Sequence, residues 1–303
     1  MTAPTILQKA VLPQRAQGWL DYGDDFLAGF VVRAADVAWA DTPEKIHDAM
    51  GLRFPGSPLS PNDAFVDVLR FNVAPFMKLI NAVGRTEHSP DGFVDRPPFT
   101  GTGFVRPELE KHIIPLWWLE PTRIPARSEL WRVHADGKQE PIALYPHVAL
   151  GWNTVPTQED PEMQPFGNKM PPSDLMGSFI QRPERMLPAQ TIDNGRVIVG
   201  DLAQSEGLKL SHTGRWFEIF EPANAPEVFG VRVTARFNGL DFIAARRLPS
   251  DTNSANVRLV YAGRNADEAE AAGLQKTDAA VYETTAPWDA LEDVQMYRLE
   301  SKS

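Results

Sequence analysis

Asn256–Leu299, NVRLVYAGRNADEAEAAGLQKTDAAVYETTAPWDALEDVQMYRL, is the stretch whose reading decides the fold. Val257–Tyr261 alternates and is rich in β-formers, which predicts a strand. Ala262-Gly263 breaks it. Asn265 is placed to cap a helix over 266–272. Asp267, Glu268 and Glu270 lie toward its positive N-terminal end, and Gly273 stops it. A second strand is expected over 280–285. Pro287 then opens a turn of helix through 289–292, and a third strand follows over 295–299. Strand, short helix, strand, short helix, strand is an α+β unit, and no catalytic residue pattern lies in it.

The pattern extends upstream. Val231, Val233, Ala235 and Phe237 fall on one side of a strand over 229–237, and Arg232, Thr234 and Arg236 on the other. Asn238-Gly239 is the strongest hairpin signal in the chain, returning through a strand over 241–247. Arg246-Arg247 reads there as solvated surface charge. Further short strands are expected over 196–200 and 216–220. In the first half, strands are expected over 30–33, 64–71 and 129–133. Ala135–Lys138 turns the last of these back into 141–145. Thr42-Pro43-Glu44 starts a helix that runs to Met50 and closes at Gly51. Residues 1–17 read as a tail or extended arm, and 84–107 as a long loop. Residues 153–188 hold seven prolines and little periodicity. The expected organisation is α+β, mostly antiparallel strands with short helices, in two domains. They are 1–152 and 189–303, joined by 153–188 as a proline-rich linker or surface excursion.

Composition narrows the function classes. There are 27 prolines in 303 residues, which favours extended connections over a helical bundle. The net charge is −10, so the surface repels phosphate backbones and anionic lipid heads, and no nucleic-acid or membrane partner is expected. The absence of cysteine removes disulfides, thiolate nucleophiles and Cys-type metal sites. No apolar run approaches a membrane span, and residues 1–14 lack the apolar core of a signal peptide; a cytoplasmic bacterial protein is expected.

No nucleophile elbow, phosphate loop, zinc helix, dinucleotide fingerprint or calcium loop is found. The six histidines have no metal-ligand spacing, and no metal or cofactor is expected. Asp24-Asp25 are adjacent carboxylates, which point apart and make no acid–base couple on their own. The densest polar cluster is Arg132, His134, Tyr145, His147, Trp152 and Asn153, of which the first four are the candidate ligand-binding residues. Arg132 and His134, two apart, share a strand face. With Tyr145 across the turn they are candidates for holding an anionic ligand or a nicotinamide nucleotide. Trp117-Trp118 is the candidate interface, since a strand would bury one ring and expose the other.

Two stretches carry resemblances. Residues 257–294 resemble a C-terminal module of actinobacterial proteins of largely unknown role, some of them found beside secreted toxins. Ile124–Gly137 (IPARSELWRVHADG) resembles the opening strand of NAD-handling toxin domains, of the ADP-ribosyltransferase-like and NAD glycohydrolase kinds. In those an arginine on that strand contacts the nucleotide, and Arg132 is the matching position. Their downstream catalytic Glu or Gln motif and Ser-Thr-Ser strand have no counterpart here. The leading expectation is a non-enzymatic protein-binding factor, such as an immunity or accessory protein of a bacterial toxin or secretion system. The alternatives are an enzyme acting on NAD or another nucleotide through Arg132, His134 and Tyr145, and a structural component of a larger assembly.

Overall fold

The computed structural model describes residues 5–53, 57–95, 101–166, 170–204, 206–248 and 255–300. Parts of three stretches singled out in the sequence, 1–17, 84–107 and 153–188, lie outside them. The first half supplies β1 (Ile6–Val11), β2 (Phe26–Arg33), β3 (Phe65–Asn72), β4 (Leu79–Asn81), β5 (Phe104–Val105), β6 (Ile114–Pro115), β7 (Trp117–Arg123), β8 (Ser128–His134) and β9 (Gln139–Tyr145). The second supplies β10 (Met176–Gln181), β11 (Met186–Thr191), β12 (Val197–Asp201), β13 (Lys209–Leu210), β14 (Trp216–Phe220), β15 (Phe229–Phe237), β16 (Leu240–Arg247), β17 (Asn256–Tyr261), β18 (Gln275–Asp278), β19 (Val281–Pro287) and β20 (Glu292–Leu299). Three short α-helices accompany them among the described residues: α1 (Pro13–Tyr22), α2 (Pro43–Ala49) and α3 (Ala266–Ala271). The fold is therefore β-rich, and α+β describes it only loosely.

Seven strands form the first sheet, in the order β4-β7-β2-β1-β3-β8-β9. The second runs β13-β14-β12-β11-β10-β15-β16-β17-β19-β18, with β20 added along β15. Both are antiparallel throughout. The segment expected to be a tail is the middle of the first sheet. Leu7 and Val11 are buried along β1, and Pro13, which fits a first helical turn, starts α1 directly after it. The proline-rich stretch 153–188 likewise contains β10 and the start of β11, which join the second sheet.

Alternation along the strands gives each sheet an inner and an outer face. On β2, Phe26, Ala28, Phe30 and Val32 point to a core that also contains Met176, Ala245, Val260 and Val281 of the second sheet. Leu27 and Val31 point the other way, to a core closed by Trp19 of α1 and by Tyr145 and Trp152. On β17, Val257, Leu259 and Tyr261 face a third core under Ala266 and Ala269 of α3, leaving Arg258 and Val260 to face the first sheet. The two sheets thus share one core, built from residues more than a hundred positions apart.

One irregularity makes room in it. The β2–β7 ladder shifts between Leu27 and Gly29, and Gly29 takes φ +98°. A Cβ there would lie 3.0 Å from Lys9 Nζ and 3.5 Å from Asp278 Oδ2. Gly29→Ala is expected to cost about 1–3 kcal/mol, because it combines a strained backbone with a displaced ion pair. Urea unfolding should show this as a lowered midpoint at unchanged slope.

Candidate functional site

The residues that link the sheets are charged. Gly23, in the left-handed region, ends α1, with its N–H bonded to the Trp19 carbonyl and that of Asp24 to Gly18. The chain then turns at Asp24, whose Oδ1 accepts from the backbone of Asp25 and Phe26. Two tryptophans fix this turn. Trp19 Nε1 donates to the Phe26 carbonyl at 3.0 Å, Trp152 Nε1 donates to the Asp24 carbonyl at 3.1 Å, and the rings stack at 5.4 Å.

The adjacent carboxylates do not simply point apart: Arg246 reaches both, its Nη1 3.4 Å from Asp24 Oδ1 and its Nη2 bonded to Asp25 Oδ1, while Asp24 Oδ2 turns to Arg258. Asp25 accepts from Arg246, from the Ser173 hydroxyl and from the Ser173 backbone. Asp24 accepts from Arg258 Nη1 at 2.7 Å. Arg258 Nε in turn donates to Glu283, whose other oxygen accepts from Arg15 Nη2 at 2.7 Å and from Thr277. Arg15 Nη1 lies 3.8 Å from Asp24, which closes a ring of four alternating charges, Asp24–Arg258–Glu283–Arg15. Both guanidiniums lie over the Phe26 ring, 4.7 Å and 4.3 Å from its centroid. Beside the ring, Lys9 Nζ pairs with Asp278 Oδ2 at 2.8 Å.

A register shift in the β16–β17 ladder between Ala244 and Arg246 makes Arg246 the direct partner of Arg258, on the same inner face. Arg246, expected to be solvated, is only 2% exposed. Arg247 is the surface residue and pairs with Asp174 at 2.7 Å.

The buried setting shapes the ionisation. Burial pushes the Asp24 carboxyl up, but Arg258, Arg246 and Arg15 outweigh it and hold it below the usual carboxylate range. Glu283 is lowered in the same way, burial being overcome by Arg258 and Arg15. Arg258 is disfavoured by burial yet raised by Asp24 and Glu283.

The ring forms one wall of a cleft of about 1010 Å³ between the sheets. Its charged lining includes Lys9, Arg15, Arg258, Asp278 and Glu283, and its apolar lining Leu12, Phe30, Met50, Leu52 and Leu59. Gln14, Gln275 and Lys276 also reach it. Its volume is at the top of the range of about 300–1,000 Å³ usual for small-molecule pockets. Among the described residues, no three His, Asp or Glu side chains converge to hold a metal ion.

The four residues first singled out do not converge. Arg132 donates twice to Asp67, at 2.8 and 3.0 Å, and lies over Phe65. His134 pairs with Glu140. The ladder sets Arg132 opposite Glu140 but Tyr145 opposite Ser128, near the other end of the hairpin. Tyr145 is buried against Trp152, and burial pushes its hydroxyl up to about 12. Burial lowers His147 to about 4. None of the four lines the cleft. Trp118 is buried against Phe93, and Trp117 is the half-buried ring of the pair, near Arg33.

Set against protein-family models, curated proteins and solved structures, the chain matches none.

Sequence reasoning passed over Lys9, Arg15, Arg258 and Glu283. The available signal was a charged residue inside an apolar strand, as in Val257-Arg258-Leu259-Val260, which requires a buried partner if both faces are covered. Which partner is a matter of tertiary placement.

Acid should weaken this site in two steps. Between the ordinary carboxylate pKa near 4 and the depressed folded values, the unfolded chain binds protons that Asp24 and Glu283 refuse, so stability falls as pH drops through that range. His147 acts earlier: the unfolded chain protonates near 6.5, the folded chain only near about 4. The urea midpoint should therefore decline below about pH 6.5 and more steeply below about pH 4. Glu283→Gln, which leaves Arg15 and Arg258 facing each other, should cost about 3 kcal/mol or more near neutrality and flatten the lower decline. A midpoint that is flat or rises on acidification would contradict the assignment.

Proposed function

We propose that the chain is a non-enzymatic binding protein whose inter-sheet cleft takes an organic anion with an apolar body. The observation that carries this is an imbalance of hydrogen-bonding capacity in the cleft. Glu283 already accepts from Arg15, Arg258 and Thr277, and Asp278 from Lys9 and the Ala279 backbone. The donors are not used up. Arg15 has five N–H groups, yet makes one short bond, to Glu283, among the described residues. Lys276 reaches Asp95 from a half-exposed position, and the Gln14 and Gln275 amides add further donors. A ligand that brings acceptors meets these open donors, whereas one that brings donors meets carboxylates that already have partners, Glu270, which also lines the cleft, accepting from Tyr282. The apolar lining residues Leu12, Phe30, Met50, Leu52 and Leu59 suit an aliphatic or aromatic body.

The acids argue for binding rather than turnover. Glu283 and Asp24 stay ionised, so neither has a proton to donate near neutrality. Glu283 has two arginines and a threonine on its oxygens, which leaves little lone-pair capacity for a general base. The immunity or accessory reading is compatible with this, a small-molecule site and a protein surface being separable on one chain.

Decanoate, followed by titration calorimetry, is the probe. It should bind in the ~micromolar range, and Leu52→Trp, which fills the apolar side, should abolish the signal. Arg15→Gln should weaken it about tenfold. Decylammonium carries the same body with donors only and should bind at least about tenfold more weakly. Equal binding of the two amphiphiles, or decanoate binding undisturbed by Leu52→Trp, would sink this proposal.

A further inference from the structure

We propose that β20 is a docking edge, to which an extended basic segment of a partner protein adds as a further strand. Among the described residues β20 pairs with β15 alone, from Leu299 opposite Gly230 to Glu292 opposite Arg236. Its second edge therefore presents backbone N–H and C=O groups to solvent, the arrangement that accepts an added strand.

The side chains fit this use. Every residue of β20 is exposed. Val294, Met296, Tyr297 and Leu299 are each 37–52% exposed, although most large apolar residues elsewhere in the sheets are buried. Edge strands that avoid pairing are short, twisted, or carry inward charges and prolines. Here a left-handed Asp293, at φ +49°, breaks the ladder only at the start of the strand. Gln295–Leu299 stays in unbroken register with Thr234–Gly230, and no proline or lysine interrupts it.

Charge selects the occupant. Among the described residues, Glu292, Asp293 and Glu300 lie on or next to the strand and Glu227 and Asp241 beside it, and two arginines, Arg236 and Arg298, pair with members of this group. Both arginines are already paired within this group, Arg236 with Asp241 and Asp293, and Arg298 with Glu227. Arg232, opposite Tyr297, is turned to Glu120 of the other sheet at 2.8 Å. The edge is thus apolar in the middle and acidic at its flanks. A second copy would bring carboxylate to carboxylate, whereas a strand alternating apolar and basic residues would satisfy both features. This edge does not line the inter-sheet cleft, so the inference stands whether or not the cleft binds an anion.

The test uses the whole protein and a fluorescein-labelled peptide of alternating valine and lysine, read by anisotropy. Binding should be saturable and should weaken about tenfold or more at ~0.5 M salt, where the charges are screened. Met296→Lys, on a side chain that is already exposed, should weaken it about tenfold while leaving the urea midpoint in place. A valine–glutamate peptide should not bind. Saturable binding lost in Met296→Lys supports the edge. No binding of the basic peptide, equal binding of the acidic one, or binding unchanged in Met296→Lys overturns it. A dimer in sedimentation that Met296→Lys dissociates would also overturn it, by assigning the edge to a second copy.

Discussion

The ring Asp24–Arg258–Glu283–Arg15 is what the rest of this structure depends on, because, with Lys9–Asp278 and Asp25–Arg246 beside it, it forms the polar fastening next to the apolar core the two sheets share. Ions this deeply buried persist only when each meets an opposite charge in good geometry, since desolvating an unpaired one costs several kcal/mol. The ring meets that condition by drawing its members from both halves of the chain. Arg15 and Asp24 come from α1 and its exit; Arg258 and Glu283 come from β17 and β19. Each half holds one contact of its own, Arg15 with Asp24 and Arg258 with Glu283, and the bonds from Arg15 to Glu283 and from Arg258 to Asp24 cross between them. Separating the sheets would break both crossing bonds and expose the core around Phe26, Phe30, Val260 and Val281. The ring is better regarded as fixing how the sheets meet than as a large source of stability, because apolar residues of similar volume often serve stability as well.

The same fastening creates the cleft. Lys9–Asp278 and the ring hold the sheets together, and with Leu12, Met50, Leu52 and Leu59 they border a space that no side chain of the described residues fills. Gly29 is part of this arrangement, since any larger residue would intrude on the Lys9–Asp278 pair. The tryptophan clamp on the Asp24–Phe26 backbone serves the same end, holding both carboxylates in fixed directions. A cleft lined by fixed ion pairs and by apolar side chains is a preorganised receptor, and its chemistry follows from which donors the ring leaves unused.

The local patterns were legible to the extent that neighbouring residues decide them. The Asn265 cap, the Asn238-Gly239 hairpin and the alternation of β15 appear in the structure as the residues imply. Asp24 and Asp25, expected to point apart, are instead bridged by Arg246, while only Asp24 also reaches Arg258. Other readings failed because local pattern is silent on environment. Residues 6–11 look like any short extended arm until β2 and β3 flank them. Arg246 looks like solvated surface charge until a ladder shift turns it inward against Asp25. Arg132, His134 and Tyr145 are close in the chain, but a seven-residue strand is long enough to part them, and their partners come from β3, β9 and the Trp152 region.

By itself, then, the sequence determined that this is a chain of short antiparallel strands, without cysteine chemistry and with an acidic surface, because those properties follow from composition and from the period of two along each strand. The tertiary structure alone decided which charges are buried, which meet one another and where space is left. Those outcomes depend on contacts between residues up to about 270 positions apart, such as Arg15 with Glu283. No local periodicity encodes such a pairing. It arises only when two sheets, each with an apolar face to hide, come together and must neutralise the ions caught between them.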